Sequence, residues 1–340
     1  MVHGPSFATF QQAYLAVLRQ VATKHQYTIA RCGRDAVEVI NTSFTIDDPV
    51  DRLPYLAARH TNVVLHHAEA LWCLASRADL DMIGYYASRL QRPAITRRLT
   101  GAACAPWLFG VDGDDGGRRF DRAMRQLVDD PHTDRAVMTV VRPDELVAVG
   151  DPDAAGALGL QFLLRDGRLH LAAHLRGNDA LAGLPCDIFS FTFLLEFAAR
   201  RLGVPVGTYS HHVGSMHLHR TDLERVDAIL AESDHLDTDA PRFPTPAMPA
   251  TSRDDLTRIL HWEQALRTNT QRLDPVRLDR LPLPVYWQQV LALFEAHRQI
   301  IHEPDRPVTA DAMAALHPGH RWLVAARWPQ RMPATVNPSA

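Results

Sequence analysis

The stretch from His174 to His219 constrains this 340-residue chain more than any other. Leu169 to His174 leads into it as a strand. Ile188 to Arg201 is apolar almost all round (Ile188, Phe189, Phe191, Phe193, Leu194, Leu195, Phe197), which marks a buried central helix. Gly203 ends that helix, and Val204 to Val213 reads as the next strand. Three polar motifs fall within this strand–helix–strand unit: Arg176-Gly177-Asn178-Asp179, Gly183-Leu184-Pro185-Cys186-Asp187 and His217-Leu218-His219. Arginine, carboxylates and histidines gathered there are the set needed to hold an anion and read a polar ring edge.

The rest of the chain narrows the class. A hydrophobic fraction of 46% suffices for a buried core, and a formal charge of -3 gives no reason to expect a nucleic-acid partner. There is no run of 18 apolar residues and no basic-then-apolar leader at Met1-Val2-His3-Gly4-Pro5, so neither a membrane nor secretion is expected, and the cytoplasm is the expected compartment. Cys32, Cys73, Cys104 and Cys186 are widely spaced, which makes a thiolate zinc site unexpected. The pairs His66/His67 and His211/His212 point apart at i, i+1 spacing, and no metal is expected there either. Lys24 is the only lysine, so any phosphate site must use arginine.

Helical spacing predicts helices over Phe10 to Lys24, from Thr61 (with Glu69 among Val64, Leu65, Ala68, Leu71 and Trp72), and over Phe120 to Val128. Strands are predicted over Ala36 to Phe44, Ala136 to Val141, Leu158 to Leu164 and Leu169 to His174, the last two joined by a hairpin at Arg165-Asp166-Gly167. Residues 90–120 read as irregular. The pattern divides into a core over 1–234, a Pro-, Asp- and Thr-rich linker over 235–253, a helical C-terminal extension over 254–328 and a loose tail over 329–340.

The motif order resembles the thymidylate synthase superfamily, which includes the pyrimidine nucleotide hydroxymethylases. The resemblance runs over roughly 10–225 and is densest from Asp130-Pro131 to His219. Arg176-Gly177-Asn178-Asp179 is similar to the family's Arg-Ser-x-Asp, Gly183 to Asp187 to its Gly-x-Pro-Phe-Asn, and His217-Leu218-His219 to its His-x-Tyr. The resemblance implies an α+β, thymidylate synthase-like fold: a mixed β-sheet with packed helices, usually in a homodimer with sheets back to back. It also implies a pyrimidine nucleotide as substrate and 5,10-methylenetetrahydrofolate as cofactor.

Residue by residue, the resemblance makes Glu69 the catalytic carboxylate, working on protons through water. Arg31, Arg176 and the partner-donated Arg135 become phosphate ligands. Gly177 stands where a serine adds a hydroxyl to the phosphate, His217 at the ribose hydroxyl, and His219 in place of a tyrosine. Asp179, with Gly183, falls at the folate contact. Asp187 is the specificity signal: asparagine there suits uracil, whereas a carboxylate accepts from the N4 amino group of cytosine. At the start of the Ile188 helix, Asp187 would also serve as an N-cap. The expected reaction is one-carbon transfer to C5 of CMP or dCMP, as in antibiotic-type nucleoside biosynthesis.

One element is absent from the pattern. The family's nucleophile lies in Pro-Cys-His, five residues before a Gln-Phe pair. Counting back from Gln161-Phe162 gives Ala155-Gly156-Ala157, and no cysteine lies between Cys104 and Cys186. Three readings stay open: a relocated thiol (Cys104 or Cys186), substrate activation without a covalent bond using Glu69 and Asp153, or nucleotide binding without turnover.

Overall fold

The computed structural model describes residues 4–31, 33–77, 79–87, 119–140, 156–236 and 243–334. Seven strands form one mixed sheet: β1 (Ser6–Phe7), β2 (Tyr27–Arg31), β3 (Arg34–Ile46), β4 (Val137–Thr139), β5 (Ala157–Arg165), β6 (Arg168–Asp179) and β7 (Val206–His219). The order is β1-β3-β7-β6-β5-β4, with β2 also paired to β3. The pair β6 and β7 is parallel; β3 with β7 and β5 with β6 are antiparallel.

The described helices are α1 (Phe10–Thr23), α2 (Val63–Leu74), α3 (Leu80–Tyr86), α4 (Arg119–Asp129), α5 (Gly183–Leu202), α6 (Leu223–Ser233), α7 (Arg253–Arg267), α8 (Pro275–Asp279), α9 (Val285–His302), α10 (Ala310–Ala314) and α11 (Pro318–Arg327). The architecture is thus the expected α+β, thymidylate synthase-like one. Along β6, buried Leu169, Leu171, Ala173 and Leu175 alternate with partly exposed His170, Ala172, His174 and Arg176, so the strand shows one face to the core. Helix α5 packs on that core face of β6 and β7, and α2 packs on α5.

Local chemistry explains the boundaries. The β5–β6 hairpin turns on Asp166 (φ 50°) and Gly167 (φ 69°), the two left-handed residues a tight hairpin loop requires. Strand β3 is single and continuous; Asn41 (φ 55°) is skipped in its register with β7 between Ile40 and Thr42. Gly203 ends α5 at φ 71°. Helix α5 begins at Gly183, earlier than the apolar run suggests, because Pro185 is tolerated in a first turn. Asp187 is therefore not an N-cap. The α5 N-terminus has no side-chain cap; Asp179 Oδ1 instead accepts from the backbone N–H groups of Leu181 (2.9 Å) and Ala182 (2.7 Å), in the turn that leads into the helix.

The C-terminal helices are docked on the core. Helix α9 packs on α7 and α2, and α11 packs on α2. The segment before α7 is anchored as well: the Met248 N–H donates to Glu196 of α5 (2.7 Å), and Glu196 also pairs with Arg52 (2.5 Å), all three buried. Among the described residues, no helix is long and apolar enough to cross a membrane.

Candidate active site

Two clusters collect most of the residues picked out from sequence. The first lies at the end of β6 and β7. Register pairs Gly177 with Ser215 and Asp179 with His217. The Arg31 guanidinium packs over Gly177, where a Cβ would meet its Nη2 at 3.2 Å. A serine at this position would crowd that guanidinium, so Gly177 gives Arg31 its room. Arg34 Nη2 lies 2.8 Å from His219 Nε2, and the Asp179 carboxylate is 4.0 Å from the same nitrogen. His217 is held down to about 4, first by burial and then by the Arg31 charge.

The second cluster joins α2 to α5. Asn178 Nδ2 donates to Asp187 Oδ2 (3.1 Å). Gly183 is required beneath this contact, since a Cβ there would collide with Asn178 Oδ1. Burial raises the Asp187 carboxyl to about 7, the charge of Glu69 adds to the rise, and the bond from Asn178 opposes it. Asp187 thus changes charge near neutral pH. Beside Glu69 stand His66 and Cys186, with ligand atoms of the three within 4.8 Å of one another. His66 stacks on Phe189 at 5.2 Å, and His67 meets the same ring edge-on at 4.9 Å as well as His320, so the two neighbours share Phe189.

A cavity of about 250 Å³ opens beside this second cluster. His66, Cys186, Leu181, Tyr86 and Asn62 line it, with Arg59, Arg225 and Arg327. Arg59 donates to Thr61, Arg225 to the Arg59 carbonyl and Arg327 to the His60 carbonyl, which fixes all three.

Other residues fall elsewhere. Arg176 alternates to the face of β6 opposite Gly177, and its N–H donates to the Gly156 carbonyl (2.9 Å). Gly156 is therefore next to the first cluster, and a Cβ there would stand 3.3 Å from the Gly177 carbonyl. Arg135 is exposed before β4, beside Gln161, whose side chain donates to the Asp134 carbonyl. Gln161 is five residues from Gly156, about 16 Å along a strand, so one chain does not bring Arg135 to Arg31. Cys104 and Asp153 lie outside the described residues. Cys186, read from sequence as a candidate relocated thiol, lines the cavity; Asn178, His66 and the arginines of the cavity were not assigned roles from sequence, and only Asn178 carried a signal, by lying inside a quoted motif.

Residues 101–253 match the family model described as thymidylate synthase. The chain is 28% identical over 236 residues to a thymidylate synthase of Symbiobacterium thermophilum, covering 63% of this chain and 81% of that protein. It is 27% identical over 220 residues to the deoxyuridylate hydroxymethyltransferase of Bacillus phage SP01, covering 62% of this chain and 57% of the phage protein. A thymidylate synthase of Oenococcus oeni is 24% identical over 131 residues, 38% of this chain and 40% of its own. The motif order, the mixed sheet with its buried central helix and these similarities converge: over 101–253 the chain is similar to thymidylate synthases.

Proposed function

We propose that the protein transfers a one-carbon unit from 5,10-methylenetetrahydrofolate to C5 of a cytosine nucleotide, CMP or dCMP, in the manner of a hydroxymethylase. The observation that carries the reading is Asp187, half-buried on α5, oriented by Asn178 and next to Glu69. As a carboxylate it accepts from the N4 amino group of cytosine and repels O4 of uracil. The phage relative is named for deoxyuridylate, and Asp187 is what moves this reading to cytosine. Arg31 is positioned for the nucleotide phosphate and His217, neutral, for a sugar hydroxyl. Arg135, exposed before β4, reaches the site from a second copy. The partly exposed face of β6 and β7, where His174 stacks on His212 at 4.8 Å, is then the face that meets that copy.

The cavity suits the folate. Leu181 and Tyr86 offer an apolar wall for flat rings, and Arg59, Arg225 and Arg327 suit an acidic tail. Asp179, expected at the folate contact with Gly183, bonds the backbone of Leu181 and Ala182, which line the cavity. Bound folate supplies the one-carbon unit. Glu69 manages protons at the pyrimidine through water. With no side chain at Gly156, activation of the ring falls to Glu69, to Asp153, or to a thiol at Cys104 or Cys186. The bare Gly156 favours a second reading as well: a protein that binds the nucleotide without turning it over.

The test is incubation of the protein with CMP, dCMP or dUMP and methylenetetrahydrofolate. A mass gain of one CH2O unit on a cytosine nucleotide is the expected result. Nucleotide binding in calorimetry with no gain on any pyrimidine would establish the second reading instead. Unchanged turnover in Cys104→Ser and Cys186→Ser would remove the relocated thiol.

A further inference from the structure

We propose that His66, Glu69 and Cys186 form a binding site for a divalent transition metal of the zinc type, open on one side to the cavity. The inference does not depend on the nucleotide or folate reading. His66 and Glu69 are three residues apart on α2 and so share a face one turn apart. Cys186 comes from the first turn of α5, which packs against α2. One donor atom of each lies within 4.8 Å of the other two. Tetrahedral zinc, with bonds to sulfur, nitrogen and oxygen near 2.0–2.3 Å, needs donor separations of about 3.3–3.7 Å. Small side-chain rotations close that difference.

The donor set is selective. Thiolate, imidazole and carboxylate together suit zinc or a neighbouring transition metal, not calcium or magnesium. The charge around it points the same way. Asp187 is close enough to Glu69 for the two carboxylates to repel, and a divalent cation between α2 and α5 relieves that repulsion. Stacking on Phe189 holds the His66 ring. Cys73, one turn beyond Glu69, takes no part: burial and the Glu69 charge push its thiol up to about 12.

A second triple, Asp179, His217 and His219, also brings its donor atoms within 4.8 Å of one another. Asp179 accepts from the Leu181 and Ala182 N–H groups, Arg34 contacts His219, and Arg31 adds positive charge beside His217. Those guanidinium groups disfavour a cation. Three protein ligands with an open fourth position are the arrangement of catalytic rather than structural zinc. His66 and Cys186 line the cavity, from which a water or a ligand atom would complete the coordination.

The test uses the full chain, stripped with a chelator, titrated with Co2+ and then with Zn2+ against a chromophoric chelator. One equivalent of Co2+ should bind with a thiolate-to-cobalt charge-transfer band in the near ultraviolet, and Zn2+ should displace it. Cys186→Ser should lose the band, and His66→Asn or Glu69→Gln should weaken binding by more than an order of magnitude. Cys73→Ser should change neither. Each variant is checked by near-ultraviolet circular dichroism, and His66→Asn and Glu69→Gln give the answer if Cys186→Ser does not fold. Absence of stoichiometric binding, a band that survives in Cys186→Ser, or affinity unmoved by His66→Asn and Glu69→Gln would overturn the proposal.

Discussion

Replacing Asp187 by asparagine should make the protein more stable at alkaline pH. The native carboxyl titrates near 7, against 3.8 for the ordinary group. Between those values the native state keeps a proton that the unfolded chain has released. Stability therefore falls as pH rises from about 4 to about 7, and the loss is complete above that range. A shift of about 3 units at 1.36 kcal/mol each sets an upper bound of about 4 kcal/mol. The carboxyl is partly open to water, which brings the working figure to about 2–4 kcal/mol. Asparagine has the same shape, and its amide oxygen can still accept from Asn178. Urea unfolding of the ligand-free protein should thus find Asp187→Asn close to wild type near pH 4.5 and more stable by about 2–4 kcal/mol near pH 8. An equal offset at both pH values, or a variant less stable at pH 8, would refute the assignment of that burial cost to Asp187.

The same group should set base preference: discrimination for dCMP over dUMP in calorimetry should grow as pH rises through about 7, and Asp187→Asn should abolish that pH dependence and move preference towards uracil. Arg52 and Glu196 form a buried pair, so Arg52→Met or Glu196→Gln alone should cost about 3–5 kcal/mol in urea unfolding, and the double variant clearly less than the sum. Gly183→Ala should push Asn178 off Asp187, with a loss of about 1–3 kcal/mol in stability and of cytosine discrimination in the same calorimetric assay. Arg31→Ala should weaken nucleotide monophosphate binding by about 10–100-fold while leaving nucleoside binding nearly unchanged, which separates a phosphate ligand from a structural arginine.

The central strand–helix–strand unit was legible because its residues obey one period each: alternation along β6 and an all-round apolar run in α5. The β5–β6 hairpin was legible from Asp166-Gly167. Strand β2 was not, since Tyr27 to Arg31 is largely exposed and its place is set by pairing with β3 rather than by its own pattern. The start of α5 was misread because its first turn carries a glycine and a proline and has no side-chain cap to mark it. In the site, the roles of Arg31 and Asp187 followed from motif order. The neighbourhood of Glu69 did not, because His66 and Cys186 are 120 positions apart in the chain and meet only through the packing of α2 on α5. The arginines of the cavity were hidden for the same reason, being drawn from Arg59, Arg225 and Arg327.

That last set bears on how the protein is made. Arg327 closes the cavity by bonding to the His60 carbonyl, 267 residues earlier. A nascent chain can pair its sheet strands and bury α5 long before α11 has left the ribosome. The cavity, however, has no complete wall until that final helix arrives. Ligand affinity should therefore switch on only once α11 has been made, and a chain stalled before α11 should be unable to retain whatever the cavity holds.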